Sequence, residues 1–129
     1  MYRGGCLCGA VRFRVPADLA DPVACHCTQC RRQSGHYFAA VAAPRAAVTF
    51  DAEHGLAWYS HTDTAARGVC RNCGSTLFWQ GHEAEGVMIA MGALDDTADL
   101  RLAAHYWVAD KGAYYDIADG LPQFERGDG

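Results

Sequence analysis

Cys70-Arg71-Asn72-Cys73-Gly74 has the form of a zinc knuckle: two thiols three residues apart, then a glycine that permits a tight backbone turn. A knuckle supplies only half of a tetrahedral site, so the other half must come from elsewhere in the chain. Two further cysteine units qualify, Cys6-Leu7-Cys8 near the start and Cys25-His26-Cys27-Thr28-Gln29-Cys30 between them. In an extended segment residues two apart point the same way, so Cys6 and Cys8 face one ion, and so do Cys25 and Cys27. If a helical turn begins near Cys27, Cys30 comes round onto the same face three residues later. The pattern predicts a fold stapled by metal.

The seven cysteines divide into four and three. Cys6, Cys8, Cys70 and Cys73 make a closed set of four thiolates, the form of structural zinc, joining the start of the chain to its middle. Cys25, Cys27 and Cys30 then hold a second zinc and leave one position open, as catalytic zinc sites do. Spacing alone permits another pairing, since Cys25 and Cys27 with Cys70 and Cys73 also make four. A histidine can also close the three-cysteine set, with His26, His36 and His61 as candidates. His26 sits between two ligands, so its ring is expected to turn away from the metal. Inert core thiols have no reason to fall in such units, and iron–sulfur ligand runs differ from Cys-x-Cys. The expectation is two zincs per chain, one structural and one catalytic.

The 129 residues suit one domain, 1–129. Half are hydrophobic, but 23 are alanine, and Leu, Ile, Val and Phe together also number only 23, so the aliphatic core is thin. Trp58, Phe78, Trp79, Tyr106 and Trp107 are expected to fill that core, with a minority lining a pocket beside the zinc. An odd cysteine count spoils a fully paired disulfide framework. Neither a secretory leader nor a membrane-length apolar run is read, so the expected compartment is the cytoplasm. A net charge of −4 with one lysine, Lys111, gives no nucleic-acid footprint. Nothing in the sequence sets the oligomeric state.

Strand signals come in short runs. Val11, Phe13 and Val15 alternate with Arg12 and Arg14 up to Pro16, a half-buried strand. His36 to Ala43, Val48 to Phe50, Leu56 to Ser60, Thr76 to Gln80, Val87 to Met91 and Leu100 to Val108 read as further strands, separated by turn residues such as Gly55, Gly81 and Gly86. The alanines of the second run would equally suit a helix. With no long amphipathic helix, the prediction is a mostly-β domain with short helical turns.

Gly4-Gly5-Cys6-Leu7-Cys8-Gly9-Ala10-Val11-Arg12 resembles the opening of the glutathione-dependent formaldehyde-activating enzyme family, which includes the centromere-protein-V-like proteins. The likeness continues through Cys25-His26-Cys27-Thr28-Gln29-Cys30-Arg31, Ser34-Gly35, Arg67, Cys70-Arg71-Asn72-Cys73-Gly74-Ser75 and Leu77-Phe78. It extends to Gly92-Ala93-Leu94-Asp95-Asp96 and Asp119-Gly120-Leu121-Pro122, nearly the whole chain. The resemblance implies a zinc-ribbon-like, β-tent fold. It also implies a structural zinc on Cys6, Cys8, Cys70 and Cys73 and a catalytic zinc on Cys25, Cys27 and Cys30. The implied activity is that of a carbon–sulfur lyase condensing formaldehyde with glutathione to S-hydroxymethylglutathione. The chain departs from the family pattern at Ala93, commonly Ser, and at Ser60-His61, commonly Ser-Ser, two places where a substrate contact is expected. The alternative from another class is a zinc-stabilised binding module without catalysis.

The chemistry suits such a site. A free thiol is mostly protonated at neutral pH and only the thiolate attacks a carbonyl, whereas a zinc with an open position deprotonates a bound thiol. Arg31 and Arg32 follow the middle unit and either attract a carboxylate such as those of glutathione or merely offset thiolate charge. Ser34 and Gly35 either stop a helical turn or present backbone to substrate. His36 is the candidate pocket proton donor.

Overall fold

The computed structural model describes residues 1–16 and 18–127. Ten strands and one helix follow in order: β1 (Tyr2–Gly5), β2 (Arg12–Val15), β3 (Val23–Cys25), α1 (Thr28–Ser34), β4 (Phe38–Pro44), β5 (Thr49–Ala52), β6 (Leu56–Tyr59), β7 (Ala65–Cys70), β8 (Thr76–Gly81), β9 (Gly86–Ala90) and β10 (Ala104–Tyr106). They form a three-stranded sheet, β1-β2-β5, and a seven-stranded sheet, β10-β3-β4-β9-β8-β7-β6. Every pairing is antiparallel except β10 with β3. The fold is mostly β, of the zinc-ribbon-like kind expected. No helix among the described residues is long and apolar enough to cross a membrane.

The period-two reading of β2 holds in detail. Phe13 and Val15 are fully buried, while Arg12 and Arg14 reach out to Asp95 and Asp51. Phe13 meets Phe78 of the large sheet at 5.2 Å between ring centres, and Phe50 of β5 meets Phe78 at 5.9 Å. Such tilted and edge-on pairs add about 0.5–1.5 kcal/mol each beyond their buried area. This trio joins the sheets and supplies bulk that the sparse aliphatics do not. Leu77, Ile89, Val11 and Val41 complete the interior.

The sequence departs from the structure at several elements. β1, β3 and β7 carry no clear strand signal: β1 ends in two glycines, β3 has three residues, and β7 reads AARGVC. Gly68 of β7 is needed because Phe78 and Trp58 pack onto it, with atoms 3.0–3.2 Å from where a Cβ would stand. The alanine-rich run is a strand, β4, because it lies between β3 and β9 and hydrogen-bonds to both. The run from Leu100 shrinks to β10, because Trp107 adopts φ 58°, left-handed backbone that ends the strand. Trp58 is not core; it is 41% exposed and stacks on Phe78 from outside.

Candidate metal centres

The loop after β1 and the turn after β7 bring Cys6, Cys8, Cys70 and Cys73 together, with all four Sγ atoms within 4.8 Å of one another. Zinc–thiolate bonds of about 2.3 Å in a tetrahedron require sulfurs about 3.8 Å apart. The Cys6–Cys8 and Cys8–Cys70 sulfur separations are 3.7 and 3.8 Å, the spacing that ion requires. The pairing of Cys70 and Cys73 with Cys25 and Cys27, which spacing permitted, is not the one the fold makes.

Backbone and side-chain donors organise this set. The Val11 N–H donates to Cys6 Sγ at 3.2 Å. The Ser75 hydroxyl accepts the Leu7 N–H at 3.0 Å and lies 3.1 Å from Cys73 Sγ, so one side chain ties the two half-sites. Donation from the Ser75 hydroxyl and backbone pulls the Cys73 thiol down to about 5, favouring the thiolate a metal needs. Ser75 followed the knuckle in the sequence but spacing gave no sign of its role. Gly74 takes φ 80°, the turn for which a glycine was expected there.

Cys25 ends β3, Cys27 is the N-cap of α1, and Cys30 lies on its first turn, buried. Their three Sγ atoms also fall within 4.8 Å of one another. Cys27 Sγ accepts the Cys30 N–H at 3.3 Å, a capping bond that fixes the helix start. Hydrogen bonds from the Cys25 and Cys30 thiols draw Cys27 down to about 2, and Cys25 is raised in exchange. Two thiols gathered around one thiolate fit a cation, and the group offers three donors.

The three candidate histidines for closing this set are engaged elsewhere. His26 is buried and bonds His105 Nδ1 through Nε2 at 2.9 Å and the Tyr115 hydroxyl through Nδ1. His36 bonds the Tyr114 hydroxyl, and His61 lies beside Tyr59.

A cavity of about 770 Å³ opens beside the three-cysteine group, and all three cysteines line it. Thr28 and Gln29 of α1 stand with them, facing Trp79, Tyr106 and Trp107. Arg67 also lines the cavity; it is 6% exposed and its Nη2 donates to Cys30 Sγ at 3.8 Å. Arg67 is a residue that spacing and composition did not single out. Arg31, Ser34, Gly35 and His36 stand outside the lining. Ser34 Oγ donates to the carbonyls of Cys30 and His36, and Gly35 takes φ 93° and donates to the Arg31 carbonyl, so these two close the helix. Neither Ala93 nor the Ser60-His61 pair lines the cavity: Ala93 is buried, its carbonyl hard against Gly4, and the pair follows β6 at the sheet edge.

A small mostly-β protein with one four-cysteine and one three-cysteine group able to hold metal, the latter beside a cavity, is the class this architecture defines. The chain belongs to the glutathione-dependent formaldehyde-activating enzyme family, whose sequence profile matches residues 1–110. It is 25% identical over 124 residues to an uncharacterised lyase of Schizosaccharomyces pombe, covering 95% of this chain and 90% of that one. The fold is similar to the crystal structure of a Rhodobacter sphaeroides protein, with a TM-score of 0.61, 23% identity, and 95% and 98% of the two chains covered.

Proposed function

We propose that the protein is a zinc-dependent carbon–sulfur lyase, forming or cleaving a thiol–aldehyde adduct such as S-hydroxymethylglutathione. The observation that carries this reading is the convergence of Cys25, Cys27 and Cys30 on one point in the wall of the cavity. Family membership and the relative named as a lyase support the class. Cys6, Cys8, Cys70 and Cys73 would hold a structural zinc, and Cys25, Cys27 and Cys30 a working one. A zinc with an open position lowers the acidity barrier of a bound thiol and polarises a nearby carbonyl.

The reaction balances simply. The thiol sulfur bonds to the aldehyde carbon, the carbon–oxygen double bond becomes single, and the thiol proton ends on that oxygen; cleavage is the reverse. Arg67 offers N–H groups within the cavity for the oxygen as it gains charge. Its contact with Cys30 Sγ also offsets thiolate charge at the centre. Arg31 and Arg32, one helical turn beyond the lip residues Thr28 and Gln29, are assigned the carboxylates of a glutathione-like thiol, with His36 as a proton donor at the margin.

The test is exchange NMR of glutathione with formaldehyde over metal-replete protein. Interconversion faster than the spontaneous rate, lost in Cys27→Ser, supports the reading. A rate equal to that without protein overturns it and favours a non-catalytic zinc-stabilised binding module.

A further inference from the structure

Formaldehyde has two heavy atoms, whereas the cavity measures about 770 Å³, within the range of sites that enclose whole organic ligands. Its wall is largely apolar. Phe38, Ala40 and Ala42 alternate along β4 and share one face, and Ala42 is exposed on the cavity floor beside Met88. Alanine is the smallest side chain that keeps strand geometry, so the floor is left low. Trp79, Tyr106 and Trp107 stand around it, and Trp107 is held there at φ 58°. Left-handed backbone at a bulky residue costs roughly 1–3 kcal/mol and persists where the surroundings require the side chain in place.

A second, independent feature lies in the same cavity. One terminal nitrogen of Arg67 contacts Cys30; the other, Nη1, is buried and has no hydrogen-bond partner among the described residues. Buried guanidinium N–H groups are ordinarily satisfied, because an unmade bond there is costly. Nη1 is closed to solvent as it stands, so an acceptor oxygen from a ligand would complete it once the guanidinium turns toward the cavity that Arg67 lines. Glutathione itself is a poor match for the interior, since it brings two carboxylates and an ammonium. Among the lining residues, Arg67 is the one cation and Asp110 the one carboxylate.

We infer that the cavity takes the carbonyl partner of the reaction, and that this is an aldehyde bearing an aromatic or branched aliphatic substituent. Its oxygen lies on Arg67 Nη1, and its apolar body lies among Trp79, Tyr106 and Trp107 over Ala42. The thiol partner then approaches from the cysteine side, with its polar branches outside the cavity. The assignment of the ligand as a substrate rests on the lyase reading; the carbonyl site rests on Arg67 and the apolar wall.

The test uses two unreactive carbonyl probes, benzamide and acetamide, titrated calorimetrically into metal-replete protein. Benzamide should bind at least tenfold more tightly than acetamide. Ala42→Leu, a change at an exposed strand position, should weaken benzamide at least tenfold while metal content stays unchanged. Arg67→Lys, which keeps the charge but lacks Nη1, should weaken both probes severalfold. Equal affinity for the two probes, or benzamide binding indifferent to Ala42→Leu, overturns the inference even where formaldehyde and glutathione are turned over. Tight, Ala42-dependent benzamide binding in a protein that accelerates thiol addition to neither formaldehyde nor benzaldehyde upholds the carbonyl site and overturns the lyase reading.

Discussion

His26 Nε2 and His105 Nδ1 share a buried hydrogen bond of 2.9 Å, the middle of a line running from Asp119 through both rings to Tyr115. Asp119 Oδ2 accepts from His105 Nε2 at 2.7 Å, which leaves Nδ1 of a neutral ring as an acceptor. His26 Nε2–H therefore donates to it, and His26 Nδ1 accepts the Tyr115 hydroxyl. Burial, with His105 close by, pulls His26 down to about 4, so its neutral form is the one the site holds. This line fastens the C-terminal segment to the residue between Cys25 and Cys27.

His105→Leu fills much of the same volume but leaves the buried His26 Nε2–H without an acceptor. The loss should be about 1–3 kcal/mol, a fall of several degrees in Tm by calorimetry. Asp119→Asn should cost less, because Asp119 is 41% exposed and water can replace it. Equal melting of His105→Leu and the unaltered protein would show that the line stabilises nothing.

The grouping of the cysteines was legible because thiol spacing reports geometry directly: Cys6-x-Cys8 and Cys70-x-x-Cys73 admit few arrangements around an ion. The β2 alternation was equally readable, since Phe13 and Val15 enter a core that Arg12 and Arg14 leave. The cavity was not. Its wall draws one or two residues from each of several strands, and no local pattern links Ala42 to Trp79 or Trp107. Arg67 stands within β7, whose lack of large apolar residues hid the strand, and its contact at the three-cysteine group is with Cys30, 37 residues away. Arg31 had the better local signal, being next to Cys30, yet on a helix adjacent residues face different ways.

The two cysteine groups should release metal unequally. Freshly purified protein should contain two zincs per chain, and its net charge should lie about three units below that of the metal-free, fully protonated chain, since four thiolates on one ion leave −2 and three leave −1. Mild chelation, followed by elemental analysis, should remove the ion on Cys25, Cys27 and Cys30 first, because three protein ligands grip less than four. Simultaneous loss of both would argue that the three-cysteine group is closed by a further ligand.

Gly55 is wedged against the four-cysteine group. A Cβ there would stand 2.6 Å from Ala10 Cβ and 3.1 Å from Cys70 Sγ, while its N–H and carbonyl are held by Ala10 and Arg71. The backbone has no room to yield, so Gly55→Ala should destabilise by about 1–3 kcal/mol through overpacking. It should also quicken metal loss from the four-cysteine site. Gly92→Ala is the control, since nothing lies within 4 Å of its Cβ position. Denaturant melts with the same midpoint for both variants would contradict the wedge.

Cysteine substitutions should separate the two centres by what each holds together. Cys6 and Cys8 precede β2, whereas Cys70 ends β7 and Cys73 follows it, so an ion on these four joins the small sheet to the far side of the large one. Structural zinc contributes roughly 10–16 kcal/mol apparent in small peptides, against a whole-domain stability of about 5–15 kcal/mol. One lost ligand does not forfeit all of that, but a core this sparse in aliphatic side chains has little reserve. Cys70→Ser and Cys8→Ser should therefore misfold or aggregate on expression. Cys25, Cys27 and Cys30 lie within six residues and restrain only the β3–α1 junction, which backbone bonds already hold: the His26 N–H donates to the Tyr106 carbonyl at 2.9 Å and the Arg31 N–H to the Cys27 carbonyl at 2.9 Å. Cys27→Ser should consequently remain folded by circular dichroism, lack one zinc, and lose any thiol–aldehyde activity. A Cys27→Ser protein that unfolds as readily as Cys70→Ser would make the three-cysteine group structural and transfer the chain to the class of binding modules.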